Sequence, residues 1–320
     1  MPENCAFGGV SVIAVGDFYQ LPPVRTKRTD KLYVNDPANP MNQLWIELFS
    51  IVELDEIMRQ KEDGSFALLL NRLRVKKGNE TLSVSDRETL QQCIREGPLE
   101  ALHIFSTNEE INAYNNDMIL KTCPEPKLIE AEDFDKKKAS GKLLKRDTHF
   151  TKSDICLRSS LLLAEGARVM LIRNEDVHDG LVNGVMGTIA HIGKQSGSSL
   201  PAVIYIHFDN ENVGKNAKLQ KVINDKRCVG LHPSTEDVPM KNGVRKQYPL
   251  QLAWACTVHK VQGLTVKECV VDLNKCFAPG QAYVALSRVT SINGLYINDM
   301  DVRKFTRRYA VILTLKVAFH

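Results

Sequence analysis

The hydrophobic pattern changes period several times along the chain. Val10–Val15 (VSVIAV) is an almost unbroken apolar run rich in Val and Ile, which predicts a strand buried on both faces. It passes through Gly16-Asp17 to Gln20 and stops at Pro22-Pro23, where regular pairing cannot continue. A loop rich in Arg, Lys, Asn and Pro is expected to about Met41, then a helix from Asn42 and a short strand over Ser50–Leu54. Phe66, Leu69, Leu70 and Leu73 recur at helical spacing, and Ser85-Asp86-Arg87-Glu88 has capping-box form before a second helix. His103–Thr107 (HIFST) predicts another strand, with Thr107 and Glu110 capping a helix from Asn108 to about Leu120.

The next part reads differently. Residues 121–160 shift in composition, and Lys136–Arg146 (KKKASGKLLKR) is a charge run suited to a solvated connection, with nuclear import or phosphate contact as the alternative. Short strands are expected over Arg168–Ile172, Gly187–Ile192 and Ala202–Phe208, separated by Gly- and Asn-rich turns as in a small β-barrel. The pattern then reverts: QLAWACTVHKVQG runs from a strand to a helix start, ECVVDL is a strand, PGQAYVALSRV a helix and GLYI a strand. The fold class is therefore α/β, with a barrel inserted between the strands of an α/β layer.

Composition narrows the function classes. The chain has 320 residues, 43% hydrophobic and 25% charged, as a soluble globular protein does. No apolar run approaches the roughly 20 residues of a membrane-spanning helix, and the first residues lack a secretory pattern. Eight cysteines without a C-x-x-C pair favour a reduced intracellular chain over a disulfide scaffold or zinc site. A net charge of +4 permits an anionic partner without requiring one.

Candidate chemistry sits where strands end, since ligands of open parallel sheets gather there. Gly16-Asp17-x-x-Gln20 delivers an amide that can bond a phosphate or orient a water; the plainer reading is a polar strand exit with a rigid turn. Met58-Arg59-Gln60 places an arginine after the strand expected to end at Leu54. Thr257–Thr265 (TVHKVQGLT) gathers two hydroxyls, a His, a Lys and a Gln around one turn. Ala282–Arg288 (AYVALSR) puts Arg288 near the end of a helix whose Tyr283 and Leu286 face the core. Alone, Arg59 or Arg288 reads as a salt-bridged surface residue and His259 as a polar turn residue.

In this order the segments GDFYQLPPV, LDEIMRQ, LAWACTVHKVQGLTV and GQAYVALSRV resemble motifs III, IV, V and VI of superfamily-one helicases, specifically the Pif-one and RecD-like branch. GARVMLIRN with LVNGVMGTI matches that branch too, and Tyr19 is a mild departure. The resemblance runs from about Phe7 to Ile297. It implies RecA-like parallel-sheet motor domains, the first truncated, with an inserted barrel of the Src-homology-three type. The implied boundaries are 1–60 for the remnant of the first motor, 61–163 for the start of the second with its charged connection, 164–246 for the barrel and 247–320 for the rest of the second motor.

The same resemblance implies an ATP-dependent DNA helicase moving 5′ to 3′, nuclear rather than mitochondrial, acting on single-stranded DNA or a fork and on no membrane. Gln20, Arg59 and Arg288 would contact the nucleotide phosphates, with Gly263 beside them. Thr257, His259, Lys260, Gln262 and Thr265 would meet the DNA. An arginine reaching a triphosphate from a second domain is worth about 10³ to 10⁵ in rate.

One expected part has no match. A phosphate-binding loop needs G-x-x-x-x-G-K-[ST], but the Gly-Lys pairs at 141, 193 and 214 continue with Leu143, Gln195 and Asn216. Ile51–Glu56 (IVELDE) imitates an acidic metal-binding strand, yet its place directly before MRQ assigns it to motif IV, so Asp55 and Glu56 are poor metal ligands and no metal site is assigned. ATP and Mg²⁺ are implied, with the Mg²⁺ ligands outside this chain, in an upstream segment of the same protein. The chain alone is then expected not to hydrolyse ATP efficiently. The alternative is a catalytically dead single-strand-binding module or a transposon-derived relic.

Overall fold

The computed structural model describes residues 6–17, 19–21, 48–50, 52–75, 82–136, 143–146, 150, 155–194, 198–216, 219–221, 227–238, 242–273 and 280–299. Contacts divide the chain into two units, residues 1–96 with 262–320, and residues 97–261.

In the first unit the helix Gly64–Val75 buries Phe66, Leu69, Leu70 and Leu73, the stripe its spacing predicts. Asp63 starts it by accepting from the Phe66 amide at 3.1 Å, and also accepts from the Ile292 amide and Ser291 hydroxyl, both at 3.0 Å. The next helix, Val84–Gln92, is capped by Ser83, not Ser85. Ser83 has the extended backbone a cap requires and accepts from the Asp86 amide at 3.0 Å. Asp86 also receives the Arg72 guanidinium at 2.9 and 2.6 Å, tying the two helices together. The expected strand in ECVVDL is Cys269–Asp272, paired in parallel with Leu295–Asp299.

Two expected strands do not form. Val10–Val15 carries no strand pairing, and Val10, Ile13 and Val15 are 67%, 90% and 89% exposed. Described residues of Ser50–Leu54 are likewise unpaired, with Val52 and Leu54 exposed. An apolar run is buried on both faces only when layers cover it and strands flank it, and no described strand pairs with either segment. The Pro22-Pro23 turn, the loop to Met41 and all but the end of the helix expected from Asn42 lie outside the described residues.

The second unit pairs Leu102–Phe105 in parallel with Ala255–Thr257. Helix Asn108–Thr122 follows, and Thr107 caps it, accepting from the Glu110 amide at 3.4 Å and donating to its carboxylate at 2.6 Å. Asn115 fastens this helix to the parallel pair: its Oδ1 accepts from the Ala255 amide at 2.8 Å and its Nδ2 donates to the Ala255 carbonyl at 3.1 Å. Beyond lies an antiparallel sheet whose order is Leu250–Leu252, Arg168–Leu171, Met186–Ile192, Ile204–Phe208, Arg227–Leu231, Leu219–Lys221. Leu171, Ile189, Ile204 and Ile206 from these strands form one core with Tyr248 and Trp254.

A second antiparallel sheet orders Ser234–Val238, Gly243–Gln247, Glu132–Lys136 and Leu143–Lys145. Its centre is a buried fork in which Arg245 holds both Asp133 oxygens at 2.8 Å. The rest of that pair's hydrogen-bonding capacity fixes a connection: Asp133 accepts from the Phe150 amide, while Arg245 donates to the carbonyls of Phe150 and Leu157. The described ends of the Lys136–Arg146 charge run ion-pair with Asp237, Glu132 and Asp135.

Candidate functional site

The loop after the first apolar run folds back on its own carboxylate. Asp17 accepts from the Tyr19 amide at 2.9 Å and from Gln20 Nε2 at 3.4 Å, a local alternative to strand pairing. Arg74, on the last turn of the helix Gly64–Val75, donates to Asp17 at 3.2 Å and lies over the Tyr19 ring at 4.8 Å. Gly280 supports the loop from the start of the short helix Gln281–Leu286: its φ is +83°, and a Cβ there would stand 3.0 Å from the Tyr19 carbonyl. Thus held, Gln20 presents Oε1 to Gln262 Nε2 at 3.1 Å, 242 residues further on.

Arg59 reaches the same stretch of chain. Its Nε donates to Thr265 Oγ1 at 2.8 Å and its Nη1 to the Ser287 carbonyl at 3.0 Å. The buried side chain of Gln60 donates to the carbonyls of Ser287 and Val289 at 3.3 and 2.7 Å, which locks the Arg59 backbone against the helix end. Arg288 follows Ser287 and is 1% exposed, its guanidinium donating to the Val284 and Leu264 carbonyls and to Ser287 Oγ. Burial, and then the Arg59 charge, bring the Arg288 pKa down to about 10, and burial lowers that of Arg59. Burial raises the Tyr283 phenol, with Asp17 adding to the rise. Leu286 is buried in the core as expected, and Tyr283 is only partly covered.

The turn after Ala255–Thr257 is not a helix start but a run of turns. Thr257 stabilises it, its Oγ1 accepting from the Lys260 amide at 3.3 Å. His259 is partly exposed, and Lys260 is exposed while its ammonium ends on Gln251 Oε1 at 2.5 Å. Gln262, Gly263 and Thr265 are exposed, and Gly263 takes a φ of +88°, a backbone conformation that suits glycine.

Residues expected in separate phosphate and DNA sets therefore interleave. In the first unit Gln20 is bonded to Gln262 and Arg59 to Thr265, with Arg288 next to the shared Ser287 carbonyl. Thr257, His259 and Lys260 belong to the second unit. Arg74 and Gln251 have no motif to single them out, and Gln60 lies in LDEIMRQ without being assigned a role there. Chemically, the cluster offers forked guanidinium donors and amides that suit phosphate oxygens. A divalent cation fits less well: among the described residues no group of three or more His, Cys, Asp or Glu is placed to hold a metal ion.

Comparison with known proteins places the chain among similar sequences and folds. Residues 2–76 match the PIF1-like helicase family and residues 154–192 the 2B domain of DNA helicase Pif1. The chain is 31% identical over 314 residues to the ATP-dependent DNA helicase PIF1 of Danio rerio, covering 97% of this chain and 44% of that protein. Against the Mus musculus protein of the same name the identity is 33% over 298 residues, covering 92% of this chain and 41% of that one. The chain thus spans less than half the length of these relatives.

Among solved structures, Pif1 helicase from Candida albicans superposes with a TM-score of 0.72 and 26% identity, over 97% of this chain and 68% of that one. Bacteroides Pif1 bound to ssDNA gives 0.66 and 25%, over 95% and 65%. A further Bacteroides Pif1 structure, in complex with ADP-AlF3 and ssDNA, gives 0.65 and 26%, over 95% and 65%. The α/β fold is that of these RecA-like proteins.

Proposed function

The chain is a relative of the PIF1-like helicases over more than nine-tenths of its length, and from that premise we propose that it supplies the strand-gripping and nucleotide-sensing part of an ATP-dependent DNA helicase moving 5′ to 3′. The observation that carries the reading is the pair of bonds Gln20 to Gln262 and Arg59 to Thr265, which link candidate phosphate contacts to candidate DNA contacts. Bound ATP would supply the free energy of the cycle. Arg59 is positioned by Gln60 to offer a phosphate its fork, and the Arg288 charge adds positive potential at the same carbonyl. A shift of Arg59 toward an anion releases Thr265, and a shift of Gln20 releases Gln262, so a change at the phosphates is passed to the turn that grips the strand. Mg²⁺ has no ligand set of three or more His, Cys, Asp or Glu among the described residues.

A second reading, strand binding without turnover, is favoured by the burial of Arg288 and by its bonds to protein acceptors. Titrating the full chain into a fluorescein-labelled single strand, with and without ATP and Mg²⁺, separates the two. The helicase reading expects salt-sensitive binding whose affinity changes with ATP; binding indifferent to ATP supports the second, and no binding overturns both. Among the described residues no helix is long and apolar enough to cross a membrane. Nuclear residence goes with the helicase reading, and fluorescence imaging of a tagged chain tests it.

A further inference from the structure

A second cluster of cations lies entirely in the unit of residues 97–261 and joins Lys260 of the Thr257–Thr265 segment to side chains outside the motifs. It starts from Gln251, which is 6% exposed and whose amide is fixed at both ends. Nε2 points to Met170 Sδ at 3.6 Å, while Oε1 accepts from Lys260 Nζ at 2.5 Å and from Arg158 Nη2 at 3.5 Å. One neutral oxygen is thereby shared by two cationic side chains. Neither makes an ion pair with a described residue. The nearby carboxylates are committed elsewhere: Glu236 accepts the amides of Cys156 and Leu157, and Asp133 holds Arg245. Burial lowers the pKa of both Arg158 and Lys260, and their mutual repulsion lowers that of Lys260 further.

Such an arrangement is unfavourable until an anion arrives, and it is built to stay in place. Glu236 and the Arg245 contact to the Leu157 carbonyl clamp the backbone just before Arg158. Lys260 is held by the turn that Thr257 stabilises. Both cationic residues remain exposed, so an incoming group can reach them. Arg158 and Gln251 also line a cleft of about 390 Å³, with the polar side chains of Asn112, Asn116 and Ser160 on its wall and Leu120 and Leu128 beside them. That size falls in the range of small-ligand clefts, roughly 300–1,000 Å³. A cationic rim next to a half-apolar, amide-bearing cleft matches a nucleotide unit: phosphate on the cations, base or sugar in the cleft.

We infer that Arg158, Lys260 and Gln251 form a phosphodiester seat for single-stranded nucleic acid, with Arg158 a binding residue that no helicase motif contains. This inference rests on the strand-binding reading above and deepens it by naming where one phosphate sits.

The test is the salt dependence of affinity for a fluorescein-labelled oligothymidylate, measured with the full chain and with Arg158→Gln and Arg158→Lys. Each neutralised phosphate of a single strand contributes about 0.7 to the slope of log affinity against log salt. Arg158→Gln should lower the slope by about that amount and weaken binding, whereas Arg158→Lys should keep the slope. Unchanged urea midpoints in both variants would show that the fold is intact. Binding by the wild type with the same slope and affinity in Arg158→Gln overturns the seat but leaves the strand-binding reading standing. A wild type that binds no oligothymidylate overturns both.

Discussion

Arg59 and Thr265 are 206 residues apart in sequence and 2.8 Å apart at Nε and Oγ1. The bond is exposed, so its contribution to stability is modest, and its importance lies in what it connects. Thr265→Val should leave the fold intact, and a double-mutant cycle with Arg59→Ala should give a coupling energy of about 0.5–1 kcal/mol in urea denaturation. A coupling near zero would show that the two side chains are neighbours without being linked.

His103 makes the second unit sensitive to acid. Its Nε2 meets the Tyr114 hydroxyl at 2.7 Å, the two rings stack at 4.2 Å, and burial brings its pKa from 6.5 down to about 4. The folded state thus holds His103 neutral where the unfolded chain would already be protonated. Stability is complete above the unfolded pKa of 6.5 and falls as pH drops from 6.5 toward 4. After discounting for partial exposure the loss is on the order of 2 kcal/mol. Urea midpoints between pH 7.5 and 4.5 should show this decline, and His103→Gln, which cannot gain the charge, should flatten it.

The Asp133 and Arg245 side chains are 1% and 4% exposed, and their fork holds the connection at Phe150 and Leu157 as well as the sheet. Asp133→Ala leaves a buried guanidinium without its partner and should cost about 3–5 kcal/mol. The double variant Asp133→Leu with Arg245→Met removes both charges and should cost clearly less than the single change. Chemical denaturation of the three proteins checks the order.

Gly280 meets the loop of Gln20 at a point where only glycine fits. Gly280→Ala must strain a φ of +83° and push on the Tyr19 carbonyl. It should destabilise the first unit by about 1 kcal/mol and weaken the Gln20 to Gln262 contact, read as a chemical-shift change at both side-chain amides.

Features decided by nearest neighbours were legible in the sequence. Thr107 caps its helix with Glu110 as its spacing predicts, and the strands near Arg168, Gly187 and Ala202 lie within two residues of expectation, because period and turn chemistry are local. Ser85 offers the same local pattern as Ser83, and only the bond from the Asp86 amide to Ser83 Oγ shows where the helix starts. Val10–Val15 has the composition of a buried strand yet is exposed, because burial on two faces depends on partners far along the chain. The motif residues were visible, but the bond from Gln20 to Gln262 was not, since pairing across 242 residues leaves no local mark. Gln251 and Arg158 carry no motif and emerge only when the cleft between them is seen.

Hydrogen–deuterium exchange of the full chain, with and without a saturating oligothymidylate, tests most directly whether these residues grip a single strand. Protection on binding should concentrate in two stretches, residues 156–163 around Arg158 and residues 257–265 around the turn. Binding that protects other segments and leaves both of these unchanged would contradict the proposed interface.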